Sequence, residues 1–345
     1  MYGAALSCSL PYILLPMKTL SYFLLSLTLL ASCKKDPKSS GDPHTGIYAL
    51  GVKVNPSDVF SAQAVYWAEG KEIVLGDRNT LAASIAIKGS DVYVTGYKDK
   101  KAVLWKNGVP EYLPLEGSEG ATWTVSFNGD DVYAVGVDGD QAAVWKNNVL
   151  YKKLSQKGSF SGAVDNKGDI HYLVKNYSEE GGTRIKYGKN DVLTEVTDAT
   201  NKVEQLAVSG ADVYFGGTNQ KETQVYIWKN NVKTVVETAS DTLATQYEFA
   251  NLWVDGTDVY LFYYDVDNNT KKSVTKYWKN GTVYTLKVLS GITPAYFRVF
   301  GGKMYYSGVF TDDYTKNGAF YLVDDVIHYL SKENSSGVQD IAVKL

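Results

Sequence analysis

The chain has 345 residues, 44% of them hydrophobic and 21% charged, which is ample material for a folded core. Its formal charge is −3 with no basic block, which excludes the clustered positive surface that a nucleic-acid backbone demands. Both cysteines, Cys8 and Cys33, precede the bulk of the chain, so disulfides, thiolate metal sites and a thiol nucleophile are excluded from the rest.

In chain order, Lys18 and the apolar run Leu20–Leu30 come first and have the layout of a secretory signal, too short to persist as a spanning helix. The run ends in Leu30-Ala31-Ser32-Cys33, which resembles the bacterial lipobox, where small residues admit the peptidase and Cys takes the lipid. The resemblance implies a signal peptide over residues 1–32, acylation at Cys33 (palmitate included) and membrane attachment through that lipid. Pro16 and Lys18 interrupt any longer apolar segment, so translation is expected to start at Met17. Residues 33–45 read as the lipidated Cys and a flexible tether of polar, Pro, Ser and Gly residues. Lys34, rather than Asp, follows the anchor. By resemblance to better-known lipoproteins this implies the outer membrane, leaving the periplasmic or surface-facing leaflet open.

Residues 46–345 are built on a repeat. DVYVTGYKDKKAVLWKNG at Asp91–Gly108 recurs at Asp131–Asn148, Asp212–Asn231 and Asp258–Gly281, with weaker copies at Ile47–Gly70, Asp169–Asn190 and Lys303–Asp325. Seven copies spaced by about 43 residues indicate a propeller or a helical array. Tyr is abundant, at 27 residues, as strands favour. In the second copy, Ser84–Ile87 is strand A and Asp91–Gly96 strand B. A polar link Tyr97–Lys101 leads to strand C at Ala102–Lys106, and the hairpin signal Asn107-Gly108 to strand D at Glu111–Leu115. Val92 and Val94 lie on one side of strand B and Tyr93 on the other, all apolar, so both faces of each sheet should be packed.

The expected fold is all-β: a seven-bladed β-propeller with four antiparallel strands per blade. The repeat region opens in strand B at Gly46-Ile47-Tyr48 and ends with the strand-A-like VQDIAVKL at Val338–Leu345, so the C-terminal strand should complete the N-terminal blade. Here the chain resembles the lipid-anchored propellers with repeated Trp-Lys-Asn-Gly blades of Bacteroides-like bacteria. Three copies depart from the pattern: Trp67-Ala68-Glu69-Gly70, Tyr187-Gly188-Lys189-Asn190 and Leu322-Val323-Asp324-Asp325. The family implies no catalytic residues.

A residue shared by most copies serves every blade; one that breaks the pattern can mark a site. Asp91, Asp131, Asp169, Asp212 and Asp258 follow Gly-containing turns and are expected to hydrogen-bond the turn backbone. Trp105, Trp145, Trp228 and Trp278 are expected between blades. The A–B and C–D turns are short and share one face, here the turn face. The other, the link face, carries longer links at Asn55–Ser61, Asn176–Gly182, Glu237–Thr245, Asp265–Thr270 and Thr311–Asn317, and is the expected binding face. Strand A should line the channel. Five residues before the strand-B Asp stand Ala86, Ser126 and Ala207, with Ala342 matching, but Trp253 and Arg298 in the sixth and seventh copies; two earlier stand Asn251, Tyr296 and Asp340. Asn251, Trp253, Tyr296, Arg298 and Asp340 either line a pocket for a sugar or an anion, or fill a gap with Arg298 paired to Asp340.

Asp265-Val266-Asp267-Asn268-Asn269 starts like a calcium loop, but Thr270 and Lys276 stand where Gly and Glu are required. His171 replaces a strand-B Tyr and reads as a core residue. Asp241-Thr242-Leu243 resembles a bacterial O-glycosylation acceptor. No nucleophile, metal or dinucleotide motif appears, and no catalytic residue, metal or cofactor is expected. The function expected is a non-enzymatic binding or assembly scaffold, a monomer on the cell envelope, with a glycan, peptide or protein partner. The alternatives are a polysaccharide lyase or hydrolase, or a purely structural component.

Overall fold

The computed structural model describes residues 44–55, 58–157, 159–178, 182–196, 201–310, 318–332 and 336–344. The signal segment, Cys33 and most of the tether lie outside the described residues. The described chain forms seven sheets, each of four antiparallel strands in the spatial order A-B-C-D, with no helix. Blade 2 is representative: Thr80–Lys88, Asp91–Lys98, Lys101–Lys106 and Val109–Tyr112.

Turn chemistry sets this register. Asn107 and Gly108 both have positive φ, 52° and 83°, the conformation whose twist matches that of a hairpin. Asn147-Asn148, Asn230-Asn231 and the divergent Asp324-Asp325 do the same. The expected polar link Tyr97–Lys101 is instead a two-residue turn at Asp99-Lys100, also with positive φ, so strands B and C run on toward each other. Strand D begins at Val109 rather than Glu111, because Lys106 pairs directly with Val109. Two of the expected long links contract likewise, Asn55 pairing with Asp58 and Ser178 with Gly182, whereas links of several residues remain between Thr238 and Thr245 and between Asp267 and Ser273. Polar side chains do not stop a backbone ladder that can still satisfy its N–H and C=O groups. Thr311–Asn317 lies outside the described residues.

The ring is closed by the two ends of the repeat region. Ser336–Val343 is strand A of blade 1 and pairs antiparallel with Ile47–Asn55, placing Ala342 opposite Tyr48 and Ile341 opposite Ala49. Each strand A also contacts strand A of the next blade all the way round. The core accordingly divides into seven clusters, each spanning two adjacent blades. Val92, Val94 and Trp105 pack toward blade 1, Tyr93 and Leu104 toward blade 3. Trp105 and Trp145 are essentially inaccessible. Burying on the order of 200 Å² of indole, at ~25 cal/mol per Å², favours each seam by ~5 kcal/mol before ordering costs.

The recurring Asp has a different task from the one expected. In blade 2 the Asn107 amide donates to Asp91 Oδ1 (2.9 Å), Lys106 pairs with Asp91 (2.9 Å), and Val92 N–H donates to Asn107 Oδ1 (2.8 Å). The carboxylate therefore ties the A–B turn to the C–D turn instead of serving its own turn backbone. The same clasp joins Asp131, Lys146 and Asn147; Asp169, Lys189 and Asn190; Asp212, Lys229 and Asn230; and Asp258, Lys279 and Asn280. In four of the five, the Lys also lies over the strand-B Tyr.

Six of the seven A strands carry a one-residue bulge at the same place: Ala83, Trp123, Glu204, Ala250, Ala295 and Gln339. The bulge pushes a carbonyl toward strand B. A Cβ on Gly96 would lie 1.9 Å from Leu81 O, and one on Gly136 at the same distance from Ala121 O. The Gly of the DVYxxG repeat is thus required by close approach.

Candidate functional site

The bulge aims the next strand-A side chains across the channel wall at the following blade. Thr124 Oγ1 donates to Gly162 O (2.6 Å), Leu252 N–H to Gln205 Oε1 (2.9 Å), Asn251 Nδ2 to Phe297 O (2.7 Å) and Ile85 N–H to Asp340 Oδ2 (3.1 Å). A polar residue here stitches neighbouring A strands together. Asn251 and Asp340, singled out by sequence, belong to this series.

Blades 6, 7 and 1 add a second layer to that stitching. Arg298 Nη2 lies 2.6 Å from Asp340 Oδ1, and its guanidinium stacks 4.4 Å from the Trp253 ring centre. Nη1 donates to Phe297 O (2.8 Å) and, more weakly, to Asn251 Oδ1 (3.4 Å). The Trp253 indole donates to Val299 O (2.7 Å). The pairing of Arg298 with Asp340 is the arrangement found. It brings together four of the five expected residues, while Tyr296 stands apart, 42% exposed. Burial pushes the Asp340 carboxyl up, opposed by the Arg298 charge and by N–H donation from Ile85 and Ile341. The guanidinium is neutralised and its donors largely engaged, so the cluster braces three blades at the channel wall.

Blade 4 departs from the others. Its A–B turn is longer, and Asp165 Oδ1 accepts N–H bonds from Lys167 (2.8 Å) and Asp169 (2.9 Å). His171, buried as expected, lies between Asp165 Oδ2 (3.2 Å from Nε2) and the Tyr187 hydroxyl (2.7 Å from Nδ1). The ionised carboxylate only accepts, so Nε2 carries the proton and Tyr187 O–H donates to Nδ1. Desolvation, then Asp165 and Asp169, push Tyr187 up to about 12. Ligand atoms of Asp165, Asp169 and His171 lie within 4.8 Å of one another, but all four carboxylate oxygens already accept from protein donors. The group is a hydrogen-bonded cluster whose acceptors are taken up within blade 4. Asp165 was not singled out by sequence; the signal was the longer turn before Asp169.

The calcium-like segment forms an Asx turn: Asp267 Oδ1 accepts from Asn269 and Thr270 N–H. Lys276, standing where a calcium loop has Glu, is itself the cation, 2.7 Å from Asp265 and 2.6 Å from Glu237. Asp241-Thr242-Leu243 is an exposed turn capped by Asp241.

No family model and no curated protein matches this sequence. Solved structures do resemble it in fold. The propeller domain of the trilobed protease from Pyrococcus furiosus aligns at TM-score 0.56 and 11% identity, over 84% of this chain and 93% of that one. Pyrococcus horikoshii acylaminoacyl peptidase aligns at 0.55 and 12% over 83% of this chain, and a Mycobacterium tuberculosis puromycin-hydrolyzing peptidase at 0.54 and 12% over 79%. This chain spans about half the length of each of those two peptidases, 51% and 50%. The Pyrococcus furiosus domain is described as having an open velcro topology, whereas the ring here is closed by strand pairing.

Proposed function

We propose that the protein is a cell-envelope lipoprotein, anchored at the outer membrane through Cys33, whose propeller is a non-enzymatic scaffold presenting its link face to a glycan, peptide or protein partner. The observation that carries this reading is the inequality of the two faces. Five nearly identical Asp-Lys-Asn clasps sit on the turn face, and the chain also enters and leaves the ring there, at Gly46 and Lys344, joined by Lys344 N–H to Gly46 O (2.8 Å). The binding role falls to the opposite face, where the links between strands are least uniform.

Two measurements test it. Cys33→Ala should move the protein from the membrane to the soluble fraction. A photo-crosslinker replacing Lys221, on the link face, should capture envelope material, whereas one replacing Gly210, on the turn face, should not. Membrane association that survives Cys33→Ala, or capture from Gly210 alone, overturns the reading.

A further inference from the structure

Between blades 2 and 3 the link face opens into a cleft of about 360 Å³. Tyr97 and Trp123 line it, with buried Gly120 and exposed Gly139 beside them, and Lys100 and Glu119, also in the lining, form a 2.7 Å ion pair. Trp123 is the bulge residue of strand A in blade 3. Its counterparts in five other blades are Ala83, Glu204, Ala250, Ala295 and Gln339, so among these six bulged strands this one sets a large aromatic where the others do not. A bulge re-aims the side chain it carries, and here it turns the indole into the cleft. Among the described residues, neither the Trp123 indole N–H nor the Tyr97 hydroxyl has a hydrogen-bond partner. A Cβ on Gly139 would meet nothing within 4 Å, so this side of the cleft is open.

We infer that this cleft binds an uncharged hexopyranose unit of a glycan. The inference rests on the reading of the link face as the binding face, and names its ligand class. A pyranose ring has an apolar C–H side that stacks on an indole and a rim of hydroxyls that need directed donors and acceptors. Trp123 supplies the platform; its N–H, the Tyr97 hydroxyl, the Lys100 ammonium and the Glu119 carboxylate supply the polar partners. The volume suits one or two sugar rings. Lys100 and Glu119 cancel in charge, so the pair does not favour an acidic sugar. A peptide bound by strand addition would need an unpaired edge, but the strand-B residues Tyr97 and Val137 are already flanked by strands on both sides.

The test is an array of neutral hexose, N-acetylhexosamine and uronic-acid oligosaccharides probed with the full chain in detergent, followed by calorimetry on the best neutral binder. Trp123→Ala should weaken that binding at least about tenfold, and Trp123→Phe far less, while Trp253→Ala leaves it unchanged. The thermal midpoint of Trp123→Ala should stay near wild type, since the side chain is only half-buried. Absence of any glycan binding, a preference confined to uronic acids, or equal affinity in Trp123→Ala overturns the inference. A partner captured from position 221 without any glycan binding would sink the saccharide site and leave the wider binding role standing.

Discussion

Ala49, at the start of the propeller, lies opposite Ile341, near its end, and both are almost wholly buried in the seam between blades 7 and 1. Pairing across nearly the whole repeat region removes the two exposed edges that an open stack would leave. Ending the chain after Lys332 removes strand A of blade 1 together with Asp340. The expected outcome is loss of a single cooperative thermal transition, followed by scanning calorimetry. A truncated chain that melts like wild type would show that the ring does not depend on this closure.

The Arg298–Asp340 pair should be costly to halve. Arg298→Ala leaves a buried carboxylate with only backbone donors, at about 3–5 kcal/mol in urea unfolding, whereas Arg298→Met with Asp340→Leu should recover most of the loss. Without Arg298 the raised Asp340 pKa climbs further. A raised carboxyl loses stability as pH rises through the range between its unfolded and folded values, so the Arg298→Ala deficit should be smaller at pH 4 than at pH 7.

The clasps set the opposite acid dependence. Asp91 is held below the usual carboxylate range by Asn107 first and Lys106 second; Asp131, Asp169, Asp212 and Asp258 are held low by their lysines first. Depressed carboxyls contribute stability that is complete above their unfolded value of 3.8 and lost as pH falls through the folded one. The thermal midpoint should therefore fall between about pH 5 and pH 2, less steeply in molar salt.

Asn107 combines two roles at φ 52°: its side chain bridges Val92 and Asp91, and its backbone turns left-handed. Asn107→Ala should cost about 2–3 kcal/mol, roughly half from lost hydrogen bonds and half from the left-handed conformation. Asn107→Gly should cost less, because it removes only the bonds. Equal losses in chemical denaturation would mean the turn carries no backbone penalty.

Blade 4 exchanges two residues of the repeat. Gly188 pairs with Tyr172 where Trp105 pairs with Val94, and a Cβ on Gly188 would fall 2.0 Å from the Tyr172 ring. Tyr172 fills the volume that the missing Trp leaves. Gly188→Ala alone should destabilise by about 1–3 kcal/mol through overpacking. Gly188→Ala with Tyr172→Val should cost less than the sum of the two single changes, a double-mutant coupling that calorimetry can read.

The number of blades, the A-B-C-D order, the packing of both sheet faces and closure by the last strand, expected at Val338–Leu345 and found at Ser336–Val343, were legible in the sequence. Strand order and two-sided packing follow from local turn residues and apolar runs that recur from copy to copy, and blade number and closure follow from the count and phase of the repeat. His171 as a core residue and the Arg298–Asp340 pairing were also legible, since both broke the repeat at matched positions. What lies across the seams became visible once the blades were assembled. The tertiary structure replaced an Asx turn at Asp91 with a bridge to Lys106 and Asn107, because those partners arrive on a different strand. It shortened two of the long links, because a ladder continues through polar residues. It also revealed the bulge that requires Gly96 and turns Trp123 outward. A bulge adds one residue to a strand without altering its composition, so period-two reading passes over it, and the direction of every earlier side chain is settled only when the neighbouring strand is in place.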